Sequence, residues 1–229
     1  MPPDLREALF VLRLNRFVAE IELDGRRERA HVPSSGRMGE LLYPGARVYV
    51  APQTRPGVRL GYRILLAEKD GLLVSVDSLL PNRLVHRLLM AGAIEELSGY
   101  STVKKEVAYG RGRFDFFLGS KDRPGCFLEV KSVTLVEGGV ALFPDAPSLR
   151  GARHLEELAA ACGEGYRPVV MFVIQRPDAE VFSPNRERDP EFSRNLAMAA
   201  GAGVEVIARR CVVSLESVLM EGPVPVVLR

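Results

Sequence analysis

The first eighty residues alternate apolar and polar positions in short runs. FVLRLNRFVAEIEL, from Phe10 to Leu23, is the longest and predicts extended β structure. DGRRERAHV follows it through an Asp24-Gly25 turn. GARVYVAP, YRILLAEKDG and LLVSVDS predict further strands separated by Pro and Gly clusters, with one helical turn around Met38 to Leu42 between them. Several short strands at such close spacing predict a small barrel of the OB type.

The pattern then changes. Pro81 and Asn82 open a helix expected to run to about Leu97, with Leu84, Val85, Leu88, Leu89 and Leu97 on its apolar side and Gly99 as its stop. STVKKEVAY and RFDFFL predict two strands joined tightly through Gly110-Arg111, and SVTLVEGGVALFPDA follows Lys131. A helix is expected from about Ser148 to Cys162, its apolar side made by Leu155, Leu158, Ala159 and Cys162. RPVVMFVIQ is an unbroken apolar run, as in a strand buried on both faces. Asp189 and Pro190 suit the N-cap and first position of a helix to about Ala200, and VEVIARRCVVSL supplies the last strand. The expectation is an α/β (α+β) chain: residues 1–80 as an OB-like small β-barrel, then 81–229 as a mixed sheet flanked by helices.

The chemistry concentrates between Arg113 and Lys131, RFDFFLGSKDRPGCFLEVK. Two strand-like runs flank a polar turn from Gly119 to Gly125. A hairpin symmetric about Asp122 puts Asp115 opposite Glu129 and Arg113 opposite Lys131, all four on one face. Phe114, Phe116, Leu118, Leu128 and Val130 would form the apolar face. Like charges across a ladder cost up to roughly 1 kcal/mol, and a hard divalent cation held by oxygen ligands reverses that cost. An Asp followed on the next strand by Glu-x-Lys resembles the active-site arrangement of the PD-(D/E)XK nucleases. In that reading Asp115 and Glu129 hold Mg²⁺ (or Mn²⁺) with the Val130 carbonyl as a further ligand. Lys131 then positions water or stabilises the phosphoryl oxygens.

Other residues join this reading with an alternative beside each. Glu106 is by register a third acidic group, or else an exposed strand residue paired with a basic one. Asp145, in a Pro-Asp-Ala turn, either reaches the metal region or caps the Ser148 helix. Arg150 and His154 lie four apart on that helix, placed to contact phosphate; otherwise His154 is a surface histidine. Arg16, Phe17, His31 and Arg37 suit the basic and aromatic surface that OB folds use for single strands, or serve loop packing. Arg113 would add charge for nucleic acid beside the carboxylates.

Composition narrows the field. A hydrophobic content of 47% in 229 residues is that of a globular protein. No apolar run approaches the roughly 18 to 20 residues that span a bilayer, and MPPDLREALF lacks the basic-then-apolar pattern of a secretory signal. Cys126, Cys162 and Cys211 are far apart and odd in number, as expected of free thiols in a reducing cytoplasm. A net charge of +2 does not itself announce a nucleic-acid binder. Only 5 of the 31 basic residues are Lys, which makes Lys131 less readily an incidental filler. A phosphate-cradling Gly-rich loop after a strand, a Cys-His pair and sugar-site carboxylates are all missing, which argues against a sugar-metabolism enzyme.

Short motifs carry a family resemblance. NRF at 15–17, HVP-x-x-GR at 31–37, ELL-x-PG at 40–45 and LPN at 80–82 are joined by RFDF at 113–116 and EVKSVTL at 129–135. FPDAPSLRGARHLEEL at 143–158 and FVIQR at 172–176 continue the series. In this order they resemble the sugar fermentation stimulation protein A (SfsA) family over nearly the whole chain. The resemblance implies an OB-like domain joined to a PD-(D/E)XK nuclease-like domain, binding to DNA and/or RNA, and nuclease activity through Asp115, Glu129 and Lys131. Ser34 replaces a usual Asn, and Gly112 a usual Ser. The second reading is a non-catalytic DNA-binding protein that regulates sugar (maltose) metabolism genes. An intact Asp, Glu-x-Lys set argues against it, because paired carboxylates without a metal repel DNA.

Overall fold

The computed structural model describes residues 1–53 and 60–228. Strands β1 (Arg6–Asn15), β2 (Val18–Leu23), β3 (Arg26–His31), β4 (Arg47–Pro52), β5 (Tyr62–Lys69) and β6 (Leu72–Ser75) form one sheet in the order β3-β2-β1-β4-β5-β6. A parallel pairing of β3 with β5, Ala30 to Tyr62 and His31 to Arg63, closes the first five into the OB-type barrel. Phe10, Ile21, Val48, Val50 and Ile64 fill its interior, and Met38 and Leu41 plug one side.

The long alternating run from Phe10 to Leu23 is two strands, not one. Asn15 Oδ1 accepts the Phe17 N–H at 2.9 Å, a local side-chain turn that competes with strand continuation and folds β2 back on β1. Asp24 and Gly25 both have positive φ, the twist that a two-residue hairpin loop requires. The Met38–Leu42 segment is a single turn, closed by Leu42 N–H on the Met38 carbonyl at 2.8 Å.

The second sheet contains β7 (Thr102–Tyr109), β8 (Gly112–Gly119), β9 (Cys126–Val133), β12 (Arg167–Ile174), β14 (Glu205–Val213) and β15 (Val218–Pro223). Its order is β15-β14-β12-β9-β8-β7, with β12 parallel to both β9 and β14 and the remaining pairs antiparallel. Buried from Pro168 to Ile174, β12 is the two-sided core strand that its apolar run predicts. A small sheet of β10 (Leu135–Glu137), β11 (Val140–Phe143) and β13 (Val181–Pro184) stands beside it. Helices α2 (Leu149–Gly163) and α3 (Pro190–Gly201) cover one face over Phe172, Phe182, Phe192 and Leu196. Helix α1 (Leu80–Met90) covers the other over Leu118, Leu128, Val130 and Met171.

Helix α1 is shorter than its apolar spacing implies. It stops at Met90 because Gly92 turns left-handed, and Leu97 reaches the same core from a separate 3₁₀ turn, Glu95–Leu97. A second departure concerns the face assigned to Phe114. Phe116 and Leu118 pack under α1, but Phe114 packs with Tyr109 and Phe127 on the α2 side. In β7 the same change separates Val103, under α1, from Val107, under α2. Between them Glu106 has φ +54°, a left-handed residue that rotates the strand and breaks the period-two alternation.

Barrel and second sheet meet at Asp77, 2% exposed. Its two oxygens accept from Arg63 of β5 at 2.7 Å and Arg83 of α1 at 2.6 Å, and one also accepts the Leu79 N–H at 3.0 Å. Removing the buried member of such pairs costs about 3 kcal/mol, the low end of the range for buried ion pairs because Arg63 and Arg83 are 20% and 56% exposed. Asp77→Ala is therefore expected to lower the free energy of urea unfolding by about 3 kcal/mol, measured with the wild type at neutral pH.

Candidate active site

The backbone ladder between β8 and β9 runs from Leu118–Cys126 to Phe116–Leu128. The register is the symmetric one, yet the next pair of the series is Asp115 and Glu129, and there a side chain takes over from the ladder. Asp115 Oδ2 accepts the Val130 N–H at 2.8 Å. Asp115 Oδ1 accepts Asn82 Nδ2 of α1 at 2.6 Å. With a carboxylate standing in for a backbone acceptor, the strands part on one side and a cavity of about 470 Å³ opens. Asp115, Glu129, Val130 and Lys131 line it, together with Asn82 and Arg16.

Glu129 points to the α2 side of the sheet and is 4% exposed. Its Oε1 receives Lys131 Nζ at 2.7 Å and His154 Nδ1 at 2.5 Å. Its Oε2 is buried with no hydrogen-bond partner among the described residues. Arg150 Nε approaches His154 Nε2 at 3.4 Å, and a guanidinium can only donate. Nε2 is thus the acceptor, leaving Nδ1–H to donate to Glu129. Burial pushes the Glu129 carboxyl up, but Lys131 and the His154 hydrogen bond outweigh it and hold the group below its ordinary value. Burial and then the Glu129 charge push Asp115 up to about 6, against the opposing pull of the Val130 N–H, Asn82 and Lys131.

A buried carboxylate with an oxygen lacking a partner among the described residues, beside the half-buried carboxylate of Asp115, forms an oxygen-donor set that fits a hard divalent cation. Among the described residues no group of three or more His, Cys, Asp or Glu side chains converges. The remaining ligand positions would fall to backbone carbonyl, water and substrate oxygens, as is usual for Mg²⁺.

The other anticipated residues divide. Arg150 and Asp145 line the cavity, as does Arg16. Asp145 is not the cap of the Ser148 helix. Ser148 caps α2 itself by accepting the Gly151 N–H, and the Ser148 N–H goes to Asp189. Asp145 Oδ2 instead accepts the Met38 N–H from the barrel at 3.2 Å. His154 is neither a phosphate contact nor a surface histidine; at 2% exposure it is an internal partner of Glu129. Its position on α2 is flanked by buried Ala152 and Leu155, so the buried arc is wider than the apolar residues alone indicate.

Arg113 does not face Lys131. It is exposed and pairs with Glu106 at 3.6 Å, and the left-handed backbone at Glu106 turns that carboxylate outward, away from Asp115. His31 lies beside Arg63 at the barrel seam, outside the cavity, where burial and then Arg63 lower its pKa. Arg37 is exposed and also outside the cavity, but its carbonyl accepts from Arg13 at 2.8 Å. Asn82 and Arg13 were not readable as site residues. The LPN motif marked Asn82 only as a helix start, and Arg13 sits within an ordinary alternating strand.

A family model described as the SfsA N-terminal OB domain matches residues 11–76, and one described as the Sugar fermentation stimulation protein RE domain matches residues 79–217. The chain belongs to the SfsA family. A Sugar fermentation stimulation protein homolog of Desulforamulus reducens is 56% identical over 227 residues, covering 99% of this chain and 94% of the relative. The homolog of Moorella thermoacetica is 46% identical over 229 residues, with 100% and 99% covered. Among solved structures, that of Pyrococcus furiosus SfsA in complex with Ca²⁺ matches with a TM-score of 0.91 at 30% identity, covering 98% of this chain and 96% of the other. The family that the sequence resembles is thus the one to which the chain belongs.

Without a cation, Asp115 and Glu129 repel each other in a poorly hydrated place. An amide at 115 can still accept from Val130 and pair with a reoriented Asn82. Asp115→Asn is expected to raise stability in EDTA by about 1 kcal/mol, read from denaturant midpoints of the two proteins. A midpoint below that of the wild type would show that the carboxylates do not repel.

Proposed function

We propose that this protein is a metal-dependent nuclease that hydrolyses phosphodiester bonds in DNA or RNA. The observation that carries the reading is the buried Oε2 of Glu129, without a partner among the described residues, beside Asp115, with Lys131 fixed on the other oxygen. Asp115, Glu129 and the Val130 carbonyl would hold Mg²⁺ or Mn²⁺. The family relative from Pyrococcus furiosus was solved with Ca²⁺, a cation with the same preference for oxygen. When bound, such a cation lowers the pKa of water and offsets the charge of the scissile phosphate.

The chain's own groups have separable tasks. Asn82 and the Val130 N–H fix both oxygens of Asp115, and His154 with Lys131 fixes one oxygen of Glu129, so the remaining oxygen is aimed without a reorganisation cost. Lys131, only 12% exposed at its side chain, is a positive charge held at the cavity wall. There it orients the attacking water and balances charge developing on the phosphoryl oxygens. Arg16 and Arg150 supply further positive charge for the phosphates on either side.

The test is cleavage of labelled DNA and RNA with Mg²⁺, Mn²⁺ or EDTA. Cutting should require the metal and fall at least about 100-fold in both Asp115→Asn and Lys131→Ala. Binding of Mn²⁺ by calorimetry should be lost in Asp115→Asn and retained in Lys131→Ala. Salt-sensitive binding with no cutting under any metal would instead favour a DNA-binding protein that does no chemistry.

A further inference from the structure

We infer that the cavity admits single-stranded nucleic acid and excludes duplex, because the barrel supplies a fixed wall across it, with Arg16 and Phe17 as the strand-contacting edge. The inference rests on the nuclease reading of the same site and adds its substrate class.

The wall consists of two barrel segments, the turn at 15–17 and the loop at 34–37. Both are tied to one side chain. The Arg13 guanidinium donates to the carbonyls of Arg16 at 2.6 Å, Gly36 at 2.7 Å, Arg37 at 2.8 Å and Ser34 at 2.9 Å. A planar fork with four backbone acceptors leaves neither segment free to swing. The wall is tied across the cavity as well. Asp145 Oδ2 takes the Met38 N–H, and Gly36 lies so close that a Cβ there would be 2.6 Å from that oxygen. Asp145 is held in turn by Arg188, whose Nη1 donates to its carbonyl at 3.0 Å.

The carboxylates therefore lie in a slot between the barrel and the second sheet, not on an open face. Its volume, about 470 Å³, is that of a pocket for a small organic molecule, the size of one or two nucleotides. A duplex presents two backbones across a groove about 12 Å wide, whereas this cavity has room for one or two nucleotides and is lined on the barrel side by Ser34, Ser35 and Gly36. A single strand can thread. The wall side offers Arg16, Ser34 and Ser35, donors suited to a phosphodiester backbone and indifferent to sequence.

Phe17 extends this edge. The residue is 47% exposed, while its N–H donates to Asn15 and its carbonyl accepts the Val32 N–H at 2.9 Å. A pinned backbone with an aromatic side chain in solvent, next to a cavity-lining arginine, is a stacking platform for an unpaired base.

The experiment compares one labelled oligonucleotide as a single strand, as a blunt duplex and as a duplex with a single-stranded overhang. Binding is read by anisotropy in Ca²⁺ and cutting in Mg²⁺ or Mn²⁺. The single strand and the overhang should be bound and cut at least about tenfold better than the blunt duplex. Arg16→Ala and Phe17→Ala should each weaken single-strand binding by about tenfold with an unchanged melting temperature. Blunt duplex bound and cut as well as single strand would overturn the inference and keep the nuclease reading. No cutting, with the single-strand preference and both variant effects intact, would overturn the nuclease reading and keep the inference. Variants that bind single strand like the wild type would remove Arg16 and Phe17 from the edge and overturn it.

Discussion

The structure depends on one substitution of a side chain for a backbone group. Where the hairpin of β8 and β9 would add its next ladder bond, the Asp115 carboxylate accepts the Val130 N–H. That contact keeps the two strands connected while letting them part. It also places a half-buried carboxylate beside the buried Glu129, a combination a protein does not retain for stability. Much of the surrounding architecture supports it. Asn82 comes from α1 on one face of the sheet and His154 from α2 on the other, so the layers on both sides fix the two acids.

The barrel has a different relation to the site. It adds neither carboxylate nor lysine, yet its Arg13 holds two segments against the cavity and its Met38 N–H is bound by Asp145. Asp77 joins the two bodies from the other side through Arg63 and Arg83. A wall held at both ends is rigid, and rigidity makes the shape of the cavity a means of selection as well as shelter. The N-terminal OB domain and the domain following it are thus joined by the Asp77 ion pairs on one side and by the Met38 N–H on the Asp145 carboxylate at the cavity.

Periodicity and motif spacing along the chain carry much of the fold. Alternation, Pro and Gly punctuation and the apolar run at 167–174 are local properties, and they foretell barrel strands, the central strand and the α3 cap at Asp189. The Asp115 to Glu129 register was legible for the same reason: a symmetric hairpin needs only its own turn. So was the family, because its motifs occur in order along nearly the whole chain.

Only the tertiary structure decided which way several of these residues point. One left-handed residue, Glu106, reverses the alternation of β7. It takes Glu106 and Arg113 out of the site, and Phe114 lies on the α2 side of the sheet. Strict period-two reasoning has no term for such a residue. His154 looked polar and therefore outward, but burial against Glu129 offsets the cost of an internal imidazole, and that partner is 25 residues away in sequence. Asn82, Arg13 and Asp145 acquire roles through contacts across elements, the longest spanning 107 residues. A local pattern determines strands and turns because their hydrogen bonds are near neighbours. The site is made by hydrogen bonds between distant segments, and these exist only once the chain has folded.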